Sequence, residues 1–235
     1  MKNISMNTEI TKAILDGRKT QTRRVIPIDT VMYDNPTVLE PDSCVKFNFS
    51  AGGCQNYSVP PLFVNSKYQK GDIVWVREPA KILGYSYDML MLNFKYIADN
   101  KIEFIETPDR FLPTPEKNAP KWIYKHQGIP NGCIKEMARI FLKITDVRVE
   151  RLQDISYEDI LKEGFPIDSY EMKNTLKLYS NDTNGEIDFE EDRASEWWKI
   201  IWDKTAEKGY KWEDNPYVFV YEFERVNKDW SDYNE

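Results

Sequence analysis

Residues 18–24 (RKTQTRR) place four cations, Arg18, Lys19, Arg23 and Arg24, beside two hydroxyls, Thr20 and Thr22, in a chain whose formal net charge is −7. Cations next to a hydroxyl can grip a phosphate or the edge of a base, with Thr22 donating a hydrogen bond. The same residue types also suit an ordinary strand at a sheet rim, where threonines fit the pleat and the charges are solvated. The acidic total argues against a protein that coats nucleic acid through bulk counterion release. It leaves room for a small basic pocket that holds one nucleotide, because the local field matters there more than the sum.

The elements around this block set its position. Asn7 or Thr8 caps a helix that runs to about Asp16, with Ile10, Ala13, Ile14 and Leu15 on its apolar side, and Gly17 stands where a left-handed residue ends a helix. The basic run therefore begins as a helix ends. The stretch from about Asp29 to Gln69 is rich in Pro, Asn, Ser and Gly and reads as a long insertion with at most short strands. GDIVWVRE (71–78) has the composition of a buried strand, and LNFKYIA (92–98) and KIEFIE (101–106) form a pair across an Asp-Asn turn. Residues 107–133 are proline-rich and loop-like around the single histidine, His126.

ARIFLKITDVRVERL (138–152) carries the longest strand pattern, with a change of phase near Asp146. ISYEDILKEGF (155–165) follows as a short helix capped by Ser156, with Glu158 and Asp159 in its first turn and Gly164 ending it. Residues 189–206 form a helix whose Trp198, Ile201 and Trp202 make a packing stripe, and NPYVFVYEFERV (215–226) is a strand before a polar tail, 227–235. Non-adjacent strands with few helices and no alternating strand–helix register favour a small mixed β-barrel, class α+β, with helices at its ends.

At 235 residues the chain suits one elaborated domain, 1–226, with insertions at about 28–70, 79–137 and 166–188. No stretch reaches the roughly 18 apolar residues that a membrane span needs, and the first residues lack a signal-peptide core, so the expectation is a soluble, cytoplasmic protein. Cys44, Cys54 and Cys133 are far apart and one histidine accompanies them, a set that suggests neither a disulfide framework nor a zinc site. No metal and no cofactor are expected.

The blocks AILDGRKTQTRRVI, GDIVWVRE, ARIFLKITDVRVERLQDISYEDILKEGF and NPYVFVYEFERV, in that order, resemble the ASCH-domain proteins of the PUA-like superfamily. The likeness is greatest to the larger phage and prophage members described as morphogenetic proteins. The resemblance implies a mixed barrel of about six strands, with a cleft where the turn after the first helix meets the end of the later short helix. It also implies an RNA, nucleoside or nucleotide ligand, and some small members are similar to amidohydrolases that deacetylate 4-acetylcytidine. The matching catalytic positions here are Lys19, Thr22 and Glu163. A phage structural or assembly role, in which the barrel is a scaffold, is the third function the resemblance allows.

In the amidohydrolase reading Thr22 attacks the acyl carbon, and Lys19 and Glu163 move the protons. A lysine serves as a base only if burial or neighbouring cations depress its pKa; Arg18, Arg23 and Arg24 would push Lys19 that way and Glu163 would push it back. Residues three apart on one strand face opposite ways, so Lys19 and Thr22 converge only if Lys19 still lies in the turn after Gly17. The ligand-binding reading adds Arg18, Arg23 and Arg24 as contacts. Trp75 and Arg77 are either cleft residues or a core tryptophan beside an Arg–Glu pair, and Arg139 is either a ligand contact or part of a structural ion pair.

Overall fold

The computed structural model describes residues 1–28, 33–39, 44–49, 60–86, 88–114, 118–166 and 190–227. The fold is mixed α+β: mostly strands, in several sheets, with few helices. Among the described residues no closed barrel is formed. The insertion expected at 166–188 and the tail after Asn227 lie outside the described residues, as does Cys54. The chain divides into two compact units, Met1–Asp16 with Ile73–Lys143 and Arg225–Glu235, and Gly17–Asp72 with Ile144–Glu224.

In the first unit, β1 (Lys2–Ser5) runs parallel to β6 (Ile73–Arg77), which pairs antiparallel with the first residues of β10 (Phe141–Arg151). Helix α1 (Thr8–Leu15) starts as its sequence demands: the Asn7 side chain accepts a hydrogen bond from the Ile10 N–H, at 2.8 Å, satisfying one of the first-turn donors. A three-stranded antiparallel sheet follows, β7 (Ala80–Ser86), β8 (Met91–Tyr96) and β9 (Ile102–Glu106), with the short helix α2 at Lys121–Tyr124. Trp75, Ile82, Leu92, Phe94, Ile123, Met137 and Phe141 form this unit's core. Strand β8 ends at Tyr96, two residues short of the expected boundary, because residues 97–99 form the turn into β9.

In the second unit, β2 (Gln21–Val25) pairs antiparallel with β11 (Tyr217–Val226), opposing Thr22 to Tyr221 and Arg23 to Val220. The rest of β10 lies next to β11. β10 runs unbroken through Asp146, yet its buried positions pass from Leu142 and Ile144 to Val147, the change of phase that the sequence pattern carries. The stretch expected to hold at most short strands instead contains a three-stranded antiparallel sheet, β3 (Tyr33–Leu39), β4 (Cys44–Phe49) and β5 (Leu62–Asn65). Among its described side chains Val45 and Phe47 are buried, and the Phe47 ring meets Tyr217 edge-on at 5.2 Å.

Helix α3 (Tyr157–Lys162) is capped by Ser156, and helix α4 spans Glu190–Thr205. Trp197, Trp198 and Trp202 of α4 pack with Leu152, Ile160, Phe165, Val218 and Val220, so the aromatic stripe is core. No helix among the described residues is long and apolar enough to cross a membrane.

Gly17 and Gly132, two of the glycines with positive φ, need it for different reasons. Gly17 (φ +75°) reverses the chain after α1 with open space where a Cβ would stand. Gly132 (φ +86°) lies directly on the main chain, where a Cβ would come within 2.9 Å of the Glu78 carbonyl oxygen. Gly132→Ala is therefore expected to destabilise by about 1–3 kcal/mol, and more than Gly17→Ala, which meets backbone strain alone. Urea-unfolding midpoints of the two variants test this, and equal losses would show that the close approach at Gly132 carries no weight.

Candidate functional site

Helix α3 ends at Glu163, whose backbone pairs with Lys19 in an isolated antiparallel bridge, just before β2 begins. The Thr20 N–H donates to the Lys162 carbonyl at 2.9 Å, and the Thr20 carbonyl accepts from the Phe223 N–H at 2.8 Å. Lys19 thus lies in the turn segment between Gly17 and regular strand. This is the local geometry the Lys19–Thr22 spacing requires.

The ends of these elements bury charge. Lys19, Thr22, Arg23 and Glu163 are each at most 3% exposed. The Lys19 ammonium forms an ion pair with Glu163 Oε2 and donates to the Glu163 carbonyl at 3.0 Å. Arg23 Nη1 takes the other carboxylate oxygen, Oε1, at 3.0 Å. A buried carboxylate needs such partners, since taking an ion out of water costs several kcal/mol unless paired and hydrogen-bonded.

Arg23 is held in turn. Its Nε and Nη2 donate to Glu150 Oε1, and Nη2 reaches Asp159 Oδ2 at 2.9 Å. Its guanidinium lies 5.8 Å from the centre of the Trp198 ring. Arg148 closes the network, donating to Asp159 Oδ2 at 2.6 Å and to Glu222 Oε1 at 2.8 Å. The basic run is therefore matched by carboxylates from β10 and from α3 and its end, and its Lys19 and Arg23 charges are paired internally. Asp159, expected only to favour the start of α3, ties Arg23 to Arg148. Glu150 and Arg148 were not singled out by sequence, although their alternation on β10 puts both on one face.

On the opposite face of β2, Thr22 and Arg24 are neighbours two residues apart. Arg24 Nη1 donates to Thr22 Oγ1 at 3.2 Å. No hydrogen bond joins Thr22 to Lys19 or Glu163 among the described residues. Ser66 and Tyr221 share a hydrogen bond at 2.9 Å, and Tyr68 meets Tyr221 edge-on with ring centres 5.0 Å apart. Arg18 Nη1 donates to the Gly164 carbonyl at 2.7 Å.

Burial lowers the pKa of Lys19; Glu163 opposes this through charge and hydrogen bonding, and the Arg24 and Arg23 charges add to the lowering. At Asp159, burial pushes the pKa up, but the hydrogen bond and charge of Arg23, with the charge of Arg148, hold it below the ordinary value. Burial raises the pKa of the Tyr221 phenol, against the hydrogen bond shared with Ser66.

Trp75, Arg77 and Arg139 belong to the other unit. Trp75 is core. Arg139 makes a two-pronged contact with Glu78, both hydrogen bonds at 2.8 Å, reaches Asp99 at 2.7 Å and stacks 3.7 Å from the Tyr96 ring centre. Arg139 is thus fully engaged in structure, and Glu78, adjacent to Arg77 in sequence, pairs with Arg139. Among the described residues no group of three His, Cys, Asp or Glu side chains is placed to hold a metal ion. Cys44 and Cys133 are free thiols, and burial raises the pKa of Cys133 to about 12.

Compared with models of known protein families, with curated proteins and with solved structures, the chain matches none.

Two outcomes follow from the network. Removing one member of the Lys19–Glu163 pair, by Lys19→Met or Glu163→Gln, is expected to destabilise by about 3–5 kcal/mol, with the double variant losing less than the sum; strict additivity in a double-mutant cycle would exclude coupling. Asp159, with its folded-state pKa below the unfolded one, adds stability above its unfolded pKa that is lost as pH falls through its depressed value. Asp159→Asn should accordingly flatten the decline in urea midpoint below about pH 4, and parallel curves for variant and parent would contradict the assignment.

Proposed function

We propose that the β2–α3 cluster is an ASCH-type site on a PUA-like scaffold, and that it takes a base of RNA or of a free or modified nucleotide. The observation that carries this reading is the meeting of Lys19 and Glu163, 144 positions apart, as a buried pair next to Arg23, with Thr22 and Arg24 on the same short strand. Of these, Lys19, Thr22 and Glu163 are the positions that the ASCH resemblance marks. In this reading Thr22 and Arg24 supply hydrogen bonds to base edge or phosphate, and the Lys19–Glu163–Arg23 group holds the strand start in place. Recognition of a single base by hydrogen bonds accords with a chain of net charge −7, for which long tracts of backbone contact are unfavourable.

A second reading, deacylation of an N-acylated cytidine, is favoured by one observation: burial lowers the pKa of Lys19, which raises the fraction of neutral amine able to accept a proton. In that reaction Thr22 Oγ1 forms a bond to the acyl carbon as its proton passes to Lys19. The C–N bond then breaks with return of a proton to the leaving exocyclic amine, and water hydrolyses the acyl-threonine. The Thr22 hydroxyl bonds Arg24 here, and catalytic contacts commonly tighten only when substrate is bound.

Thermal-shift titrations with cytidine, cytidine monophosphate, 4-acetylcytidine and a short single-stranded RNA separate these readings. Binding predicts a rise in melting temperature that Arg24→Ala and Thr22→Val remove. No response to any of the four would leave the scaffold role and sink the binding proposal. If the protein is an amidohydrolase, 4-acetylcytidine is converted to cytidine, and Thr22→Ala slows this by about 100-fold or more. Equal turnover in Thr22→Ala, or none in the parent, would end the enzymatic reading for this substrate.

A further inference from the structure

We propose that the first unit carries a separate site for a small oxyanion, a phosphate or carboxylate group borne on an apolar body, in the pocket at the end of β6. The pocket has a volume of about 570 Å³, within the range of small-molecule sites. Arg77, Lys81, Asn7 and Asn131 supply its polar lining, and Pro79 and Ile97 are among its apolar walls. None of its lining residues is acidic, in a chain where Asp and Glu outnumber Lys and Arg by 39 to 32. The pocket is therefore a local concentration of donors and positive charge in an acidic protein.

Arg77 is the central group. Its guanidinium is a planar fork of N–H donors. Its Nε–H is buried and has no acceptor among the described residues. The nearest carboxylate in sequence, Glu78, does not serve it, because both Glu78 oxygens accept hydrogen bonds from Arg139. A buried donor on a cation is disfavoured when left unpaired, and an oxyanion held in the planar fork of an arginine supplies the missing acceptor. Asn7 uses its Oδ1 to cap α1, which leaves its amide N–H groups for a ligand.

The wall opposite is fixed by the main chain. The Ile129 N–H donates to the Ala80 carbonyl at 2.9 Å, and the Cys133 N–H donates to the Glu78 carbonyl at 2.7 Å, so residues 129–133 are pinned along the end of β6 and the start of β7. Gly132 permits that approach, as a Cβ there would also stand 3.1 Å from the Arg77 carbonyl oxygen. The pocket is thus built before a ligand arrives, which lowers the ordering cost of binding. This site is independent of the nucleotide reading of the β2–α3 cluster.

The test is calorimetric titration of the full chain with phenyl phosphate and, separately, benzoate. Saturable binding of at least one is expected, weakened about tenfold or more by Lys81→Glu and by Asn131→Asp, two exposed positions where substitution leaves the core intact. Arg77→Gln should abolish binding, with Arg77→Lys retaining part of it. Thr22→Val should bind as the parent does, so failure of the β2–α3 proposal leaves this result unaffected. The stronger of the two probes identifies phosphate or carboxylate as the preferred group. No saturable binding of either probe up to about 10 mM, or affinity unchanged in both Lys81→Glu and Asn131→Asp, would overturn the proposal.

Discussion

The Glu163 carboxylate, buried between the Lys19 ammonium and the Arg23 guanidinium, is the constraint on which the second unit's polar architecture depends. A carboxylate with almost no exposed surface needs donors for both oxygens, and here each finds a different cation. Because the two cations lie four residues apart, Lys19 before β2 and Arg23 within it, the carboxylate fixes the point at which turn becomes strand. The isolated backbone bridge between Lys19 and Glu163 adds a main-chain tie at the same place. Hydrophobic packing alone would let α3 slide against the strand, whereas a directional pair accepts one register. The polar cluster thereby contributes specificity of arrangement in addition to any net stability.

From that centre the charges spread in alternation. Arg23 needs more acceptors than Glu163 offers, so Glu150 and Asp159 serve it; Asp159 is shared with Arg148, which leans on Glu222. This pattern reconciles the dense basic block with an acidic chain. The local sum is close to neutral, and the other face of β2 carries a different pair of side chains. There Thr22 and Arg24 follow strand alternation away from the network that absorbs Arg23. One strand thus sends Arg23 and Arg24 to different partners according to the parity of their positions.

The legible parts of the fold were those where local pattern and environment agree. Asn7, Gly17, Ser156 and Gly164 mark helix ends through side-chain caps or positive φ, and these depend on residues within one turn. β6, β10 and β11 were visible because their apolar runs are long. β3 was not, because YDNPTVL places Asp, Asn and Pro inside the strand, and β7 (AKILGYS) shows no clean alternation. At the site, the Lys19 and Glu163 positions came from resemblance to a family, while the roles of Glu150, Asp159 and Arg148 depend on contacts more than ten residues distant in sequence. A first-turn acid gains from the helix dipole wherever it occurs, so that local explanation hid the long-range one.

The VWVRE motif shows the same limit from another side. Adjacent Arg77 and Glu78 invite pairing on a linear reading, but Arg77 is the last residue of β6, Glu78 lies beyond it, and both Glu78 oxygens are taken elsewhere. Glu78, buried, instead takes both prongs of Arg139, whose guanidinium also stacks on Tyr96 and reaches Asp99. Burial raises the pKa of Glu78, and the hydrogen bonds and charge of Arg139 work against it, so this pair also exists because each member would be disfavoured alone. Satisfying Glu78 in this way withdraws from Arg77 the carboxylate nearest to it in sequence. The pairing of Glu78 with Arg139 thus leaves two arginines of opposite character in one unit, one held by carboxylates and one whose buried Nε–H has no acceptor among the described residues.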